Sequence, residues 1–198
     1  MVSSSNKLFE VLEYIFDLVL LNFLFILCSL PVVTAYPAFV ALVETIKTLS
    51  EEESAPAWKQ FFKLFYDYLK KGMKVWVVLL FATIVIAGDI IAVFYLPNAL
   101  QNLLLPFTVI MPLLLFGIFT NLIKLFILGE HRIKPLFINS FFLLLRHPLK
   151  PILVILISAI YLILSVYLRF IPFIIAFSLL AFTCYFLLFT RNSEVNNN

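Results

Sequence analysis

Ionisable side chains are rare in the apolar parts of this sequence, so the few that occur there are the first candidates for chemistry. Asp89 is the clearest. It stands seven residues before Leu96, in an otherwise apolar run. At 1.5 Å per residue that is roughly 10 Å inside the end of its helix. A charge at such depth is costly in lipid and is a functional hypothesis by default. Arg169 falls at the corresponding end of another apolar run. A structural Asp89–Arg169 pair is one reading, and a substrate or proton role for Asp89 is another. Asp17 and Asn22 in the first run, and Asn121 and Lys124 in the fourth, read as hydrogen-bonding glue between helices. Thr34 is a further polar residue, in a proline-flanked stretch between two apolar runs.

The usual catalytic and metal-binding signatures do not accompany these residues. The two histidines, His131 and His147, lie in polar connections. No HExxH, paired-cysteine or nucleophile-elbow spacing is present. Cys28 and Cys184 both sit in apolar runs and read as small buried residues. Only four glycines occur, too few for a glycine-rich phosphate loop. The expectation is therefore a non-enzymatic protein with no catalytic, cofactor or metal site. Nothing points to nucleic acid.

What positions these residues is a membrane. The 198-residue chain is 64% apolar and 13% charged. Soluble domains average about 45–50% apolar and about 25% charged. No soluble domain of this length has interior enough for that much apolar surface. In lipid every backbone polar group needs an internal partner, so only helices or closed barrels can span. The apolar runs are continuous rather than alternating, which selects helices. The expected fold is all-α, a single polytopic transmembrane bundle over residues 1–198, with six membrane helices and five as the alternative. A helix is expected after Asn6, a plausible N-cap. The first run lacks a positive leader, since Glu10 and Glu13 outweigh Lys7, so it reads as a retained span.

Ala57–Lys71 is amphipathic. Trp58, Phe61, Phe62, Phe65 and Leu69 recur at helical spacing, with Lys59, Lys63 and Lys70 mostly on other faces. An aromatic face beside a lysine face predicts a helix lying in the membrane surface, with Trp58, Phe61, Phe62, Phe65, Lys70 and Lys71 as interfacial or partner-docking residues. Packing against the protein's own bundle is the alternative. A span over 75–96, an uncharged turn at 97–102, a span over 103–128, a second interfacial helix near 135–145 and spans over 151–168 and 173–189 complete the expected layout.

The chain also carries an internal echo. Leu30-Pro31, five residues and Pro37 recur 75 residues on as Leu105-Pro106, five residues and Pro112. At the same offset Lys59 matches Lys134, Phe62 matches Phe137, Leu69 matches Leu144, Lys71 matches Arg146 and Pro97 matches Pro172. A tandem pseudo-repeat of units 30–97 and 105–172 is expected. Twelve of the 14 Lys and Arg fall in 46–74, in 124–150 or at Arg191. By the positive-inside rule these regions and the C-terminus face the cytoplasm, and with six spans the N-terminus does too.

The stretch Asn22 to Ala38 resembles the YesL-like family of bacterial membrane proteins. The residues that carry the resemblance are Asn22, Leu24, Leu30, Pro31, Thr34, Pro37 and Ala38, together with Phe61, Phe62 and Phe65. Phe25 stands where the family commonly has Trp, and Tyr36 where it has a small residue. The resemblance implies a cell-membrane protein of unknown molecular activity, associated with carbohydrate uptake and sensor kinases. The implied partners are the lipid bilayer and a sugar transporter or sensor-kinase subunit. An accessory or regulatory role follows as the leading expectation, and a small transporter or permease subunit as the alternative.

Overall fold

A computed structural model describes residues 2–51, 56–167 and 171–189. The described residues form seven α-helices: α1 (Val2–Ser29), α2 (Ala35–Glu51), α3 (Ala57–Val93), α4 (Asn98–Ile127), α5 (Ile133–Arg146), α6 (Leu149–Tyr167) and α7 (Ile171–Phe189). A single 3₁₀ turn, Val32–Thr34, joins α1 to α2. Four segments are long and apolar enough to cross a membrane: Val11–Ser29, Val32–Glu51, Ala57–Val93 and Leu100–Ile127. The pair α5 and α6, bent by 89°, makes a fifth if taken as one span. The chain is thus an all-helical protein whose several long apolar helices mark it as multi-pass.

The centre of the bundle is α2. Every residue from Tyr36 to Val43 is buried, as are Thr45 and Ile46. A helix that is apolar all round belongs in the interior, and α2 is packed by α1, α3, α4 and α7. Its main neighbour is α3. The buried residues of α3 are Ala57, Phe61, Phe65, Tyr68, Gly72, Val75 and Leu79, and then only Val93. Steps of three and four residues put the first seven on one stripe, and that stripe is the seam with α2. Beyond Leu79 the helix carries exposed apolar residues such as Phe81, Ile84 and Ile91, while Ile86, Ile90 and Val93 stay half-buried or buried on the side of α4.

The expected break between an interfacial helix ending at Lys71 and a span starting at Val75 does not occur. α3 runs unbroken for 37 residues, about 55 Å. The only helix-weakening residue at that point is Gly72, which costs roughly 1 kcal/mol relative to alanine. It is seated directly beneath Pro37, where a side chain would collide. At the corresponding place after α5 stands Pro148. Proline lacks an N–H and disfavours helical geometry in the residue before it. His147 accordingly leaves the helical region at φ −134°, ψ 65°, and the chain turns sharply.

Other ends are equally local. Pro97 stops α3 and precedes the first residue of α4, so the predicted turn over 97–102 contracts. α4 passes through Pro106 and Pro112 without ending. It stops at Gly129, whose φ of +97° suits glycine. There the Glu130 N–H donates to the Leu125 carbonyl and the Gly129 N–H to the Phe126 carbonyl, both 3.1 Å, which satisfies the helix's last acceptors. α1 begins at Val2 rather than after Asn6, so Asn6 does not cap it.

Candidate functional site

The stretch from Leu30 to Ala38 is a corner held from three sides. α1 ends at Ser29 and leaves carbonyls without helical donors. The Thr34 hydroxyl shares its hydrogen between the carbonyls of Cys28 (2.6 Å) and Pro31 (2.7 Å), and the Thr34 N–H donates to Pro31 at 2.8 Å. The Trp76 indole N–H of α3 donates to the Val32 carbonyl. Pro37 falls in the first turn of α2, where its missing N–H is not needed. Its Cβ lies 2.9 Å from where a Cβ on Gly72 would be. Tyr36 is 1% exposed, with its ring stacked near Trp76 and edge-on to Phe119 and Phe126 of α4. The phenol oxygen has no hydrogen-bond partner among the described residues.

Two of the predicted polar residues lock helices together. Asn22 is 1% exposed, and its Oδ1 accepts from the backbone N–H groups of Phe177 (3.0 Å) and Ser178 (3.3 Å) in α7. The Ser178 hydroxyl returns a bond to the Leu18 carbonyl at 2.6 Å. Asn121 of α4 is buried and its amide donates to the Ser140 carbonyl of α5 at 3.4 Å. One turn earlier, Gly117 lets Leu144 approach closely. Between lipid-embedded helices the hydrophobic effect gives no net drive, so close packing and such bonds carry the association.

Asp89 is exposed on α3. It lines a hollow of about 360 Å³ with Ile86, Leu104, Phe107 and Met111, on one side of the α3–α4 seam. A second hollow of about 410 Å³, with Ile90, Leu105, Val109 and Pro112 in its wall, lies at the same seam. Arg169, the other half of the predicted pair, lies outside the described residues.

The aromatic face of α3 is divided. Phe61 is fully buried and Phe65 nearly so, parallel-stacked at 6.2 Å in the seam with α2. They therefore anchor the protein's own core and are not open to a membrane surface or partner. The physical reason is that the apolar stripe of α3 is matched by an equally apolar α2. Phe62 is half-buried. Trp58 is exposed, with Lys59 Nζ 5.3 Å from its ring. Lys70 and Lys71 are exposed. Lys59, Lys63, Tyr66, Lys70 and Lys74 are all exposed and form a second stripe, turned away from the seam.

A polar cluster midway along the seam was not singled out from the sequence. Tyr68 of α3 donates its phenol hydrogen to the half-buried Glu44 carboxylate of α2. The Tyr68 ring meets Phe126 edge-on at 5.2 Å, and the His131 ring lies 4.8 Å from that of Phe126. Partial burial, with Lys71 close by, holds the His131 imidazole below its ordinary pKa of 6.5, and Glu130 opposes this. The available signal was Tyr68, which falls on the same stripe as Phe61 and Phe65. Its partners come from distant segments, so spacing could not reveal them. Among the described residues no group of three or more His, Cys, Asp or Glu could hold a metal ion.

Residues 18–90 match the family described as "Protein of unknown function, DUF624". That segment holds the C-terminal part of α1, the corner, α2 and nearly all of α3. No curated protein and no solved structure matches the chain.

Proposed function

We propose that this is a non-enzymatic accessory or regulatory subunit of a carbohydrate-uptake system in a bacterial cell membrane. The observation that carries the reading is the outward stripe of α3, formed by Lys59, Lys63, Tyr66, Lys70 and Lys74, with Trp58 beside it. α3 is about 55 Å long against a hydrocarbon core of about 30 Å. Its N-terminal part extends beyond the membrane on the side that the lysines mark as cytoplasmic. There it offers aromatic and basic groups to a transporter or sensor subunit. The YesL-like resemblance directs the reading to carbohydrate uptake.

In this reading the chain has two tandem units, 30–97 and 105–172, with six membrane helices and α5 lying along the interface. The packing supports it, because α2 lies on the first half of α3 as α4 lies on α5. The test is cross-linking and capture from native membranes, with wild type beside Tyr66→Ala and Lys63→Glu. A transport or sensor subunit captured by the wild type and lost from both variants supports the proposal. Identical captures would refute it. A small transporter is favoured by one observation, Asp89 in its hollow. Solute uptake into liposomes that Asp89→Asn abolishes would establish that reading instead.

A further inference from the structure

Asp89 is the only charged residue between Lys74 and the buried Lys124. It lies four residues before the end of α3 at Val93, about 6 Å along the axis. The apolar part of α3, 75–93, is about 28 Å long, close to the ~30 Å of a hydrocarbon core. Asp89 therefore stands just inside the level of the lipid headgroups. The hollow beside it draws Asp89 from α3 and Thr108 from α4, and the rest of its lining is apolar, with Ile86, Phe107 and Met111 among it. Asp89, Ala92, Phe107 and Met111 are exposed, so the hollow opens sideways from the bundle, toward lipid. Asp89 makes no hydrogen bond or ion pair with any described residue. The Thr108 hydroxyl gives its hydrogen to the Leu105 carbonyl at 2.8 Å, which leaves its oxygen free to accept. The Thr108 carbonyl lacks its usual helical donor four residues on, because Pro112 has no N–H. The two polar residues of the hollow thus bring acceptors and one negative charge.

We propose that this hollow binds an aminolipid, a membrane lipid whose headgroup ends in a primary ammonium. An ammonium has three N–H donors and no acceptor, the complement of a wall that holds acceptors alone. Its hydrogen bonds to a carboxylate are charge-assisted and roughly twice as strong as neutral ones. A carboxylate bordered by hydrocarbon is costly until it is paired, so the gain from pairing is larger here than on a water-facing surface. The volume of about 360 Å³ falls within the usual range of ligand pockets, about 300–1,000 Å³. The sideways opening lets the acyl chains remain in the bilayer beside Phe107 and Met111. An anionic headgroup would be repelled by Asp89, and a quaternary ammonium has no N–H to donate. The proposal does not depend on the accessory role, and it requires no movement of solute.

The test uses the full-length protein in neutral detergent, with thermal unfolding followed against added phosphatidylethanolamine, phosphatidylcholine or phosphatidylglycerol of matched chains. Phosphatidylethanolamine should raise the midpoint more than either of the others. Asp89→Asn keeps the shape of an exposed side chain and removes its charge, and should weaken the apparent affinity for phosphatidylethanolamine about ten-fold. Ala92→Phe narrows the hollow, leaves the carboxylate in place and should weaken it as well. Asp67→Asn removes a negative charge from a distant exposed position of the same helix and should keep the preference. Equal shifts from phosphatidylethanolamine and phosphatidylcholine in the wild type would overturn the proposal. So would a preference that survives Asp89→Asn, or one that is lost equally in Asp67→Asn. A preference untouched by Ala92→Phe would place the lipid outside the hollow and overturn the site.

Discussion

Gly72→Ala tests the central seam most directly, because the same substitution elsewhere in the same helix carries the opposite expectation. A Cβ at Gly72 would lie 2.9 Å from Pro37 Cβ and 3.3 Å from Pro37 Cα. Both atoms are stiff, one in a ring and one in the backbone, so no rotamer change relieves the clash. Restoring ordinary contact moves α2 and α3 apart by about half an ångström, and overpacking of this kind costs about 1–3 kcal/mol. Alanine returns about 1 kcal/mol through helix propensity. The net expectation is a loss of up to about 2 kcal/mol, or up to roughly 8 °C in midpoint for a chain of this size. At Gly88 nothing lies within 4 Å of an added Cβ, so Gly88→Ala should leave the midpoint unchanged or raise it. Gly117→Ala meets only the flexible end of Leu144 and should fall between the two. The assay is thermal unfolding in detergent, followed by the fluorescence of Trp76 in a Trp58→Phe background. Trp76 is one turn from Gly72 and sits against Tyr36, so it reports the seam. A Gly72→Ala protein that melts no lower than Gly88→Ala would refute the close seam.

Tyr36→Phe removes a buried hydroxyl that has no partner among the described residues. It should be neutral or stabilising by up to about 1–3 kcal/mol, measured by the same melt, and a clear loss of stability would show that the hydroxyl is used. Asn22→Leu leaves two α7 backbone N–H groups without their side-chain acceptor. A loss of about 1–3 kcal/mol is expected, with faster hydrogen exchange confined to α7, and unchanged exchange there would argue against the lock. His131 is held below its ordinary pKa, so the fold favours the neutral ring. As pH falls through about 6.5 the unfolded chain takes up the proton first, so stability drops until the folded-state value is passed. His131→Gln should flatten that part of the stability–pH curve, and an unaltered slope would assign it to another group.

An apolar face carrying Trp58, Phe61, Phe62, Phe65 and Leu69 was legible from spacing, but not what it faces, nor that Ala57 and Tyr68 share the buried stripe with Phe61 and Phe65. An apolar stripe satisfies a membrane surface and a neighbouring helix equally well, because both offer the same relief from water. The decision lay in α2, a short run ending in Glu44 and Lys47 that gave little sign of being the core. Glu44, Tyr68 and His131 come from three separate segments, so no local pattern announced their meeting. The role of Asn22 as a helix lock was anticipated, but not the backbone N–H donors it accepts from, which lie some 155 residues away.

By itself the sequence determined the solvent and the helical class. Composition leaves no soluble alternative, and lipid forces internal hydrogen bonding. Only the tertiary structure decided which amphipathic face is core, which lysine is buried, and that Gly72 continues a helix where Pro148 bends the chain. Those outcomes depend on which surfaces meet. Contact between distant segments is set by shape and by the pairing of polar groups across helices, not by the order of residues along one of them.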